Sequence, residues 1–211
     1  MVRRWPKRES RAPAVRPSIE RGRRIELVAI GASTGGPQVL GEILTRLPST
    51  FSAPILIVQH ITAGFTEGLA YWLAQASGRP VKLAASGEMA RPGSAYVAPE
   101  GVQMGVDPDG CIRLAVARGE DGFCPSASYL FQSVAESYGR SAMGVLLTGM
   151  GRDGAVGLRK LRDAGGVTVA QDKESSVVFG MPAEAIKLGA AQYVLGPEEM
   201  SELMRSLVTA E

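Results

Sequence analysis

Residues 25–37 have the sequence IELVAIGASTGGP, which predicts a buried strand, a sharp turn and the start of a helix. The apolar run is typical of a strand that is covered on both faces. The glycines after it permit a tight turn, and Pro37 suits the first turn of a helix. Two later segments repeat the pattern: residues 55–60, ILIVQH, and residues 143–154, MGVLLTGMGRDG.

Strands and helices alternate along most of the chain, which indicates an α/β fold. Apolar runs predict strands at 25–30, 55–59, 143–147, 166–170 and 191–195, and helices are predicted near 37–46, 65–77, 154–164, 182–188 and 198–208. This rhythm is typical of a doubly wound, mainly parallel sheet with helices on both faces. The middle departs from it, with a strand at 94–99, a β-hairpin insertion at 102–116 and a helix from Ser126 to about Tyr138. We expect the hairpin to extend an edge of the sheet or to cover one end.

Charge divides the chain into two predicted parts. Residues 1–24 carry nine Arg or Lys and two Glu, a net charge of +7, so the remaining residues carry −5 of the total of +2. With three prolines and few large apolar residues, this stretch is predicted to be a basic, disordered tail or linker. Residues 25–211 are predicted to be one domain. The tail is interpreted first as a solvated tether and second as a docking segment for an acidic partner.

Composition argues against several classes of function. A mildly acidic domain does not suit a nucleic-acid-binding core. We expect no membrane insertion, because no apolar run approaches the ~18 residues of a span. Cys111 and Cys124 have no zinc spacing, so we expect no metal and no cofactor. Two scattered cysteines without a secretory signal favour a reducing, cytoplasmic location.

Three residues with complementary chemistry follow three of the predicted strands. Ser33, His60 and Asp153 each lie just past the carboxyl end of a strand, where open parallel sheets bind ligands. His60 is the chain's one histidine, and imidazole is the side chain suited to activate a hydroxyl near neutral pH. We predict Ser33 as nucleophile, His60 as base and Asp153 as its orienting carboxylate. The backbone N–H of Met150 is a candidate oxyanion donor.

Each of these residues also has a plainer interpretation. Ser33 would cap a helix or belong to a phosphate-binding turn, although the acidic residue expected after the second strand of a nucleotide site is absent. Asp153 would be an N-cap of the helix that begins at Gly154, a role compatible with catalysis. Asp172, which also follows a strand, is the rival orienting carboxylate. An ordinary α/β-hydrolase is excluded, because no histidine follows the acids.

Longer motifs add a family resemblance over about residues 25–208. The chain resembles the catalytic domain of the chemotaxis receptor methylesterases, the CheB-type protein-glutamate methylesterases. The matching segments, in order, are IGASTGGP at 30–37, VQH at 58–60, GFT at 64–66, YVAP at 96–99, LTGMGRDG at 147–154, AQD at 170–172 and VVFGMP at 177–182.

The resemblance implies a function and a set of site residues. Ser33, His60 and Asp153 match the family's triad, and its oxyanion donors map to the backbone N–H groups of Met150 and His60. The implied reaction is hydrolysis of glutamate γ-methyl esters on a methylated chemoreceptor, with a side activity of receptor glutamine deamidation. A non-catalytic regulatory module of the same fold is the alternative, and a nucleotide-binding protein is a more distant one.

Three departures from the family pattern bear on substrate choice and regulation. Ile61-Thr62-Ala63 replaces the Met-Pro-Pro that commonly follows the histidine, and Phe123-Cys124-Pro125-Ser126 replaces a His-Arg-Pro-Ser-like segment. We expect both loops to border the cleft. Most such enzymes also carry an N-terminal receiver domain, which restrains the esterase until it is phosphorylated. No segment long enough for a receiver domain precedes the first predicted strand here, so we expect no phosphorylation-dependent switch within this chain.

Overall fold

Seven strands form one parallel sheet in the computed structural model, which describes residues 24–116 and 122–208. They are β1 (Leu27–Ala32), β2 (Ile55–Gln59), β3 (Val81–Leu83), β4 (Ala95–Val97), β7 (Ala142–Leu146), β8 (Val167–Gln171) and β9 (Tyr193–Leu195). The helices are α1 (Gly36–Arg46), α2 (Thr66–Ser77), α3 (Ala127–Ser137), α4 (Ala155–Asp163), α5 (Met181–Lys187) and α6 (Pro197–Val208). A hairpin of β5 (Val102–Val106) and β6 (Ile112–Val116) lies outside the sheet.

The strand order places β1 at the centre of the sheet. The order is β3-β4-β2-β1-β7-β8-β9, and every neighbouring pair is parallel. From β1 the chain passes to β2 and then to β3 at one edge, comes back to β4 between β3 and β2, and then crosses to β7 on the other side of β1. Such a reversal opens a crevice at the carboxyl ends of the central strands, where ligands bind in open α/β sheets.

Helices cover the sheet on both faces because the strand side chains alternate between two apolar cores. Val28 and Ile30 face the core made with α1, α2 and α6, while Leu27 and Ala29 face the core made with α3, α4 and α5. All four side chains are fully buried. The predicted doubly wound α/β fold is therefore confirmed, and each predicted strand of the sheet lies within two residues of its observed bounds.

Two features differ from the sequence prediction. A three-residue edge strand, β3, was not predicted, because its side chains are only partly buried and its apolar signal is short. The hairpin predicted at 102–116 is present, but of its two expected placements the extension of a sheet edge is wrong, because β5 and β6 form their own two-stranded sheet against α3. There Ser133 Oγ accepts a hydrogen bond from the Val106 N–H at 2.8 Å and donates to its carbonyl at 3.0 Å. The predicted basic tail lies outside the described residues except for Arg24.

Candidate functional site

The turn after β1 holds Ser33 by its backbone. The Ser33 N–H donates to the Thr148 carbonyl at 3.0 Å, and the Ser33 carbonyl accepts from the Gly36 N–H and from Gln59 Nε2, both at 2.8 Å. Gly35 has a φ of +81°, a conformation that strongly favours glycine, and α1 begins at the next residue. The glycines of the motif therefore form the turn that leaves the Ser33 side chain at the sheet edge.

The loop after β7 packs directly against this turn. A Cβ atom added at Gly149 would lie 2.6 Å from Ser33 Cβ, so only glycine permits this approach. Thr148 Oγ1 donates to the Thr34 carbonyl at 3.0 Å and accepts from the Val178 N–H at 2.9 Å. The Thr148 N–H donates to the buried Gln171 Oε1 at 2.8 Å. Hydrogen bonds that link the turn after β1, the loop after β7 and Val178 thus fix the position of Ser33.

His60 lies directly after β2, the strand next to β1, which Ser33 follows. The register pairs Ala32 with Gln59, so Ser33 and His60 are the next residues along two neighbouring strands. The His60 Nε2 atom is 2.9 Å from Asp153 Oδ2. Its Nδ1 atom is buried and has no hydrogen-bond partner among the described residues. The phenyl ring of Phe123 stacks on the imidazole, with centroids 4.6 Å apart and planes 7° from parallel.

The Asp153 carboxylate is surrounded by hydrogen-bond donors. Oδ1 accepts from Ser126 Oγ at 2.8 Å and from the Ser128 N–H at 3.1 Å, and Oδ2 accepts from the Ala127 N–H at 2.7 Å besides His60. Burial by itself would raise the pKa of Asp153, but these hydrogen bonds outweigh it and hold the pKa well below its usual range. An ionised carboxylate only accepts hydrogen bonds, so His60 donates from Nε2.

The predicted capping role of Asp153 is found on a different helix. The N-cap of α4 is Gly154 rather than Asp153, although the Gly154 N–H donates to Asp153 Oδ1 at 2.8 Å. Asp153 also accepts from the first N–H groups of α3, Ala127 and Ser128, whose N-cap is Ser126. The positive end of the α3 dipole therefore faces the carboxylate. The prediction of Asp153 as the N-cap of α4 was wrong by one residue, because α4 begins at Ala155 and Gly154 takes the cap position.

Asp172, the rival orienting residue, belongs to a separate turn. Its Oδ1 atom accepts from the Ser175 N–H at 2.9 Å and from the Ser175 hydroxyl. Its own N–H donates to the Leu195 carbonyl of β9 at 2.9 Å. The imidazole of His60 contacts Asp153, and this contact favours Asp153 over Asp172 as the orienting residue.

The two predicted oxyanion donors differ in their availability. The His60 N–H donates to the Ala32 carbonyl at 2.9 Å, because the β1–β2 ladder continues for one residue beyond the strands. It is therefore engaged in this conformation, and the structure does not support its assignment as a donor. Met150 is 70% exposed and directly follows Gly149, and its N–H makes no hydrogen bond within the described part of the chain. Its assignment stays a prediction.

An open cleft of about 740 Å³ contains this part of the sheet edge. Ser33 and His60 line it, together with both loops that depart from the family pattern, Ile61–Ala63 and 123–125. The sequence prediction that these loops border the cleft is thus confirmed, and Cys124 is one of the lining residues. Its described lining contains a carboxylate, Glu100, but no Lys or Arg.

Residues 24–116 and 122–208 form neither a metal-ligand cluster nor a membrane-spanning helix. These residues contain no group of three His, Cys, Asp or Glu side chains arranged as metal ligands. None of the helices they form is long and apolar enough to cross a membrane.

Comparisons with known proteins place the chain in a family. The sequence model of the CheB methylesterase family matches residues 28–204. A protein-glutamate methylesterase/protein-glutamine glutaminase of Syntrophus aciditrophicus is 52% identical over 98% of this chain and 61% of its own length. One from Nitrosospira multiformis is 50% identical over 99% of this chain and 60% of its own length. The chain therefore spans about three fifths of these curated relatives.

A solved structure agrees with the sequence relatives. The crystal structure of the Thermotoga maritima CheB methylesterase catalytic domain matches with a TM-score of 0.83 and 40% identity, over 87% of this chain and 99% of that chain. The chain belongs to the CheB methylesterase family.

Proposed function

We propose that this chain is a serine esterase that hydrolyses glutamate γ-methyl esters on a chemoreceptor protein to glutamate and methanol. The observation that carries the proposal is the hydrogen bonding of the two ring nitrogens of His60. Its Nε2 is 2.9 Å from the ionised Asp153, while its buried Nδ1 has no partner among the described residues and the ring lines the same cleft as Ser33. One ring nitrogen is thus oriented, and the other is left to accept a proton.

The first half of the proposed reaction forms an acyl-enzyme. Ser33 Oγ attacks the ester carbonyl carbon, and its proton passes to Nδ1 of His60. Asp153 accepts from Nε2–H throughout, which fixes the tautomer and stabilises the imidazolium. The tetrahedral intermediate collapses as the imidazolium returns the proton to the methoxy oxygen, and methanol leaves. The Met150 N–H is the proposed donor to the oxyanion.

The second half restores the serine. A water molecule gives a proton to His60 Nδ1 and attacks the acyl carbon, and the proton then returns to Ser33 Oγ as the glutamate product forms. Receptor glutamine would react by the same steps, with ammonia as the leaving group. The curated relatives carry both activities in their names, methylesterase and glutaminase.

The first test is methanol release from methylated chemoreceptor membranes. We expect release by the wild type and a loss of several orders of magnitude in the Ser33→Ala variant, since triad residues act as a unit. Ser206→Ala, on the exposed side of α6, is the matched control and should retain wild-type activity. A fluorophosphonate should label Ser33 in the wild type and in the control.

Two results would contradict the proposal. Equal release by wild type and Ser33→Ala would remove Ser33 as nucleophile. Absence of both methanol release and fluorophosphonate labelling in the wild type would favour the non-catalytic regulatory module.

A further inference from the structure

The predicted hairpin has no place in the reaction as described, yet one of its side chains reaches the catalytic edge. Gln103 of β5 is 1% exposed, and both polar atoms of its amide are used. Nε2 donates to the Phe123 carbonyl at 2.9 Å, and Oε1 accepts from the Ser126 N–H at 2.8 Å. One buried amide therefore bridges the two ends of residues 123–126.

Each end of this segment touches one member of the His60–Asp153 pair. Phe123 stacks on the His60 ring, and the Ser126 hydroxyl donates to Asp153 at 2.8 Å. The two residues whose side chains make these contacts are the two whose backbone groups Gln103 binds. A shift of this segment would therefore disturb both the ring that stacks on His60 and the hydroxyl that binds Asp153.

A hydrogen bond at one ring nitrogen leaves the tilt of the imidazole plane about that bond undetermined. The face contact with Phe123 supplies the missing restraint, since the two planes lie within 7° of parallel. Phe123 is 51% exposed, so it shields one face of the imidazole from water while its other side faces solvent. An aromatic face also attracts a cation, which is the form His60 takes when it accepts the serine proton.

We propose that Phe123 is a positioning residue for His60 and that Gln103 of the hairpin holds Phe123 in place. The inference rests on the proposed role of His60 as the base. It assigns a function to the 123–126 segment, one of the loops in which the sequence departs from its family, and to the inserted hairpin. Neither residue supplies an atom to the reaction, and both act through the orientation of His60.

The test compares Phe123→Leu, which keeps apolar bulk without a ring, with Phe123→Tyr, which keeps the ring. On methylated chemoreceptor membranes, Phe123→Leu should lower kcat by roughly tenfold to 100-fold with KM nearly unchanged, because misorientation of a catalytic group affects the chemical step. Phe123→Tyr should restore kcat to nearly the wild-type value. Tyr71→Leu, an exposed aromatic on α2, is the control and should change neither constant.

A spectroscopic readout tests the stack without activity. His60 is the chain's one histidine, so in the untagged protein its imidazole C–H protons give the only such proton NMR signals. The phenyl face shifts these protons upfield, and Phe123→Leu should move them downfield while Phe123→Tyr and Tyr71→Leu leave them in place. Gln103→Met, which keeps the bulk but loses both hydrogen bonds, should give part of this shift and a fall in kcat.

The outcomes separate this inference from the proposed function. A wild type that neither releases methanol nor reacts with the fluorophosphonate would overturn both, whatever the NMR spectrum shows. An active wild type whose kcat is unchanged in Phe123→Leu would overturn the inference alone. If Gln103→Met does not fold, the comparison of Phe123→Leu with Phe123→Tyr still decides the part played by Phe123.

Discussion

Asp153 and Asp172 both lie beyond the carboxyl end of a strand but differ in their partners. Each follows one of two neighbouring parallel strands, β7 and β8, and their exposed fractions are 8% and 5%. Asp153 accepts hydrogen bonds from distant parts of the chain, at His60 and at the start of α3. Asp172 accepts from Ser175, three residues further on. A carboxylate at the right edge is therefore not sufficient, and its long-range neighbours decide what it orients.

The largest expected effect is on activity, when each aspartate is replaced by asparagine. Asp153→Asn should lower kcat for methanol release by about 10³- to 10⁴-fold, because the amide no longer selects the required tautomer of His60. Asp172→Asn should lower kcat by less than about tenfold, since its turn is tied to the site only indirectly. A larger loss in Asp172→Asn than in Asp153→Asn would reverse the assignment.

A smaller effect concerns stability in acid. The pKa of Asp153 is lowered in the folded protein, so its ionised form stabilises the fold above the ordinary value of about 3.9. This contribution is lost as the pH falls below about 4 toward the lowered pKa. Between pH 7 and pH 3 the free energy of unfolding should therefore lose about 1 kcal/mol through this group.

Urea unfolding at the two pH values measures this contribution. Asp153→Asn should be less stable than the wild type at pH 7, but its loss on acidification should be smaller by about 1 kcal/mol. An equal loss in the variant and the wild type would show that the carboxylate is not specially stabilised in its ionised form.

The smallest expected effect is a difference in kcat between variants of the two serines that donate to these aspartates, Ser126 and Ser175. Ser126→Ala removes a donor to Asp153 and the cap of α3, and Ser175→Ala removes the hydroxyl that donates to Asp172. Each should cost about 1 kcal/mol of stability in thermal or urea unfolding. Only Ser126→Ala should also lower kcat, by roughly threefold to tenfold through the tilt of Asp153. Equal kcat values in the two variants would show that the Ser126 contact is structural only.

Much of the fold was predictable because it depends on local pattern. The apolar runs before Ser33 and His60 determine buried strands, and parallel strands bring their carboxyl ends to one edge. The edge strand β3 and the separate position of the hairpin were not predictable. A three-residue strand leaves little periodic signal, and the packing of a hairpin depends on a helix that is distant in sequence.

The candidate site divides in the same manner. The residue types of Ser33, His60 and Asp153 and their places after strands were available from the sequence, as was Asp172 as a competitor. The hydrogen bond from the His60 N–H to the Ala32 carbonyl depends on the register of β1 and β2, which the sequence does not give. The bridge from Gln103 to Phe123 has no local signature, because a glutamine in a strand gives no indication of which backbone groups its amide will meet.

The sequence by itself determined the doubly wound α/β class, the family resemblance and the three side chains at the sheet edge, because strand periodicity and turn chemistry are short-range properties. Tertiary structure alone decided that Asp153 rather than Asp172 contacts His60, that α3 presents its N-terminus to this carboxylate and that Phe123 covers the imidazole. The physical reason is that these hydrogen bonds and ring contacts join segments 26 to 93 residues apart, and only the packing of the helices on the sheet brings such segments within bonding distance.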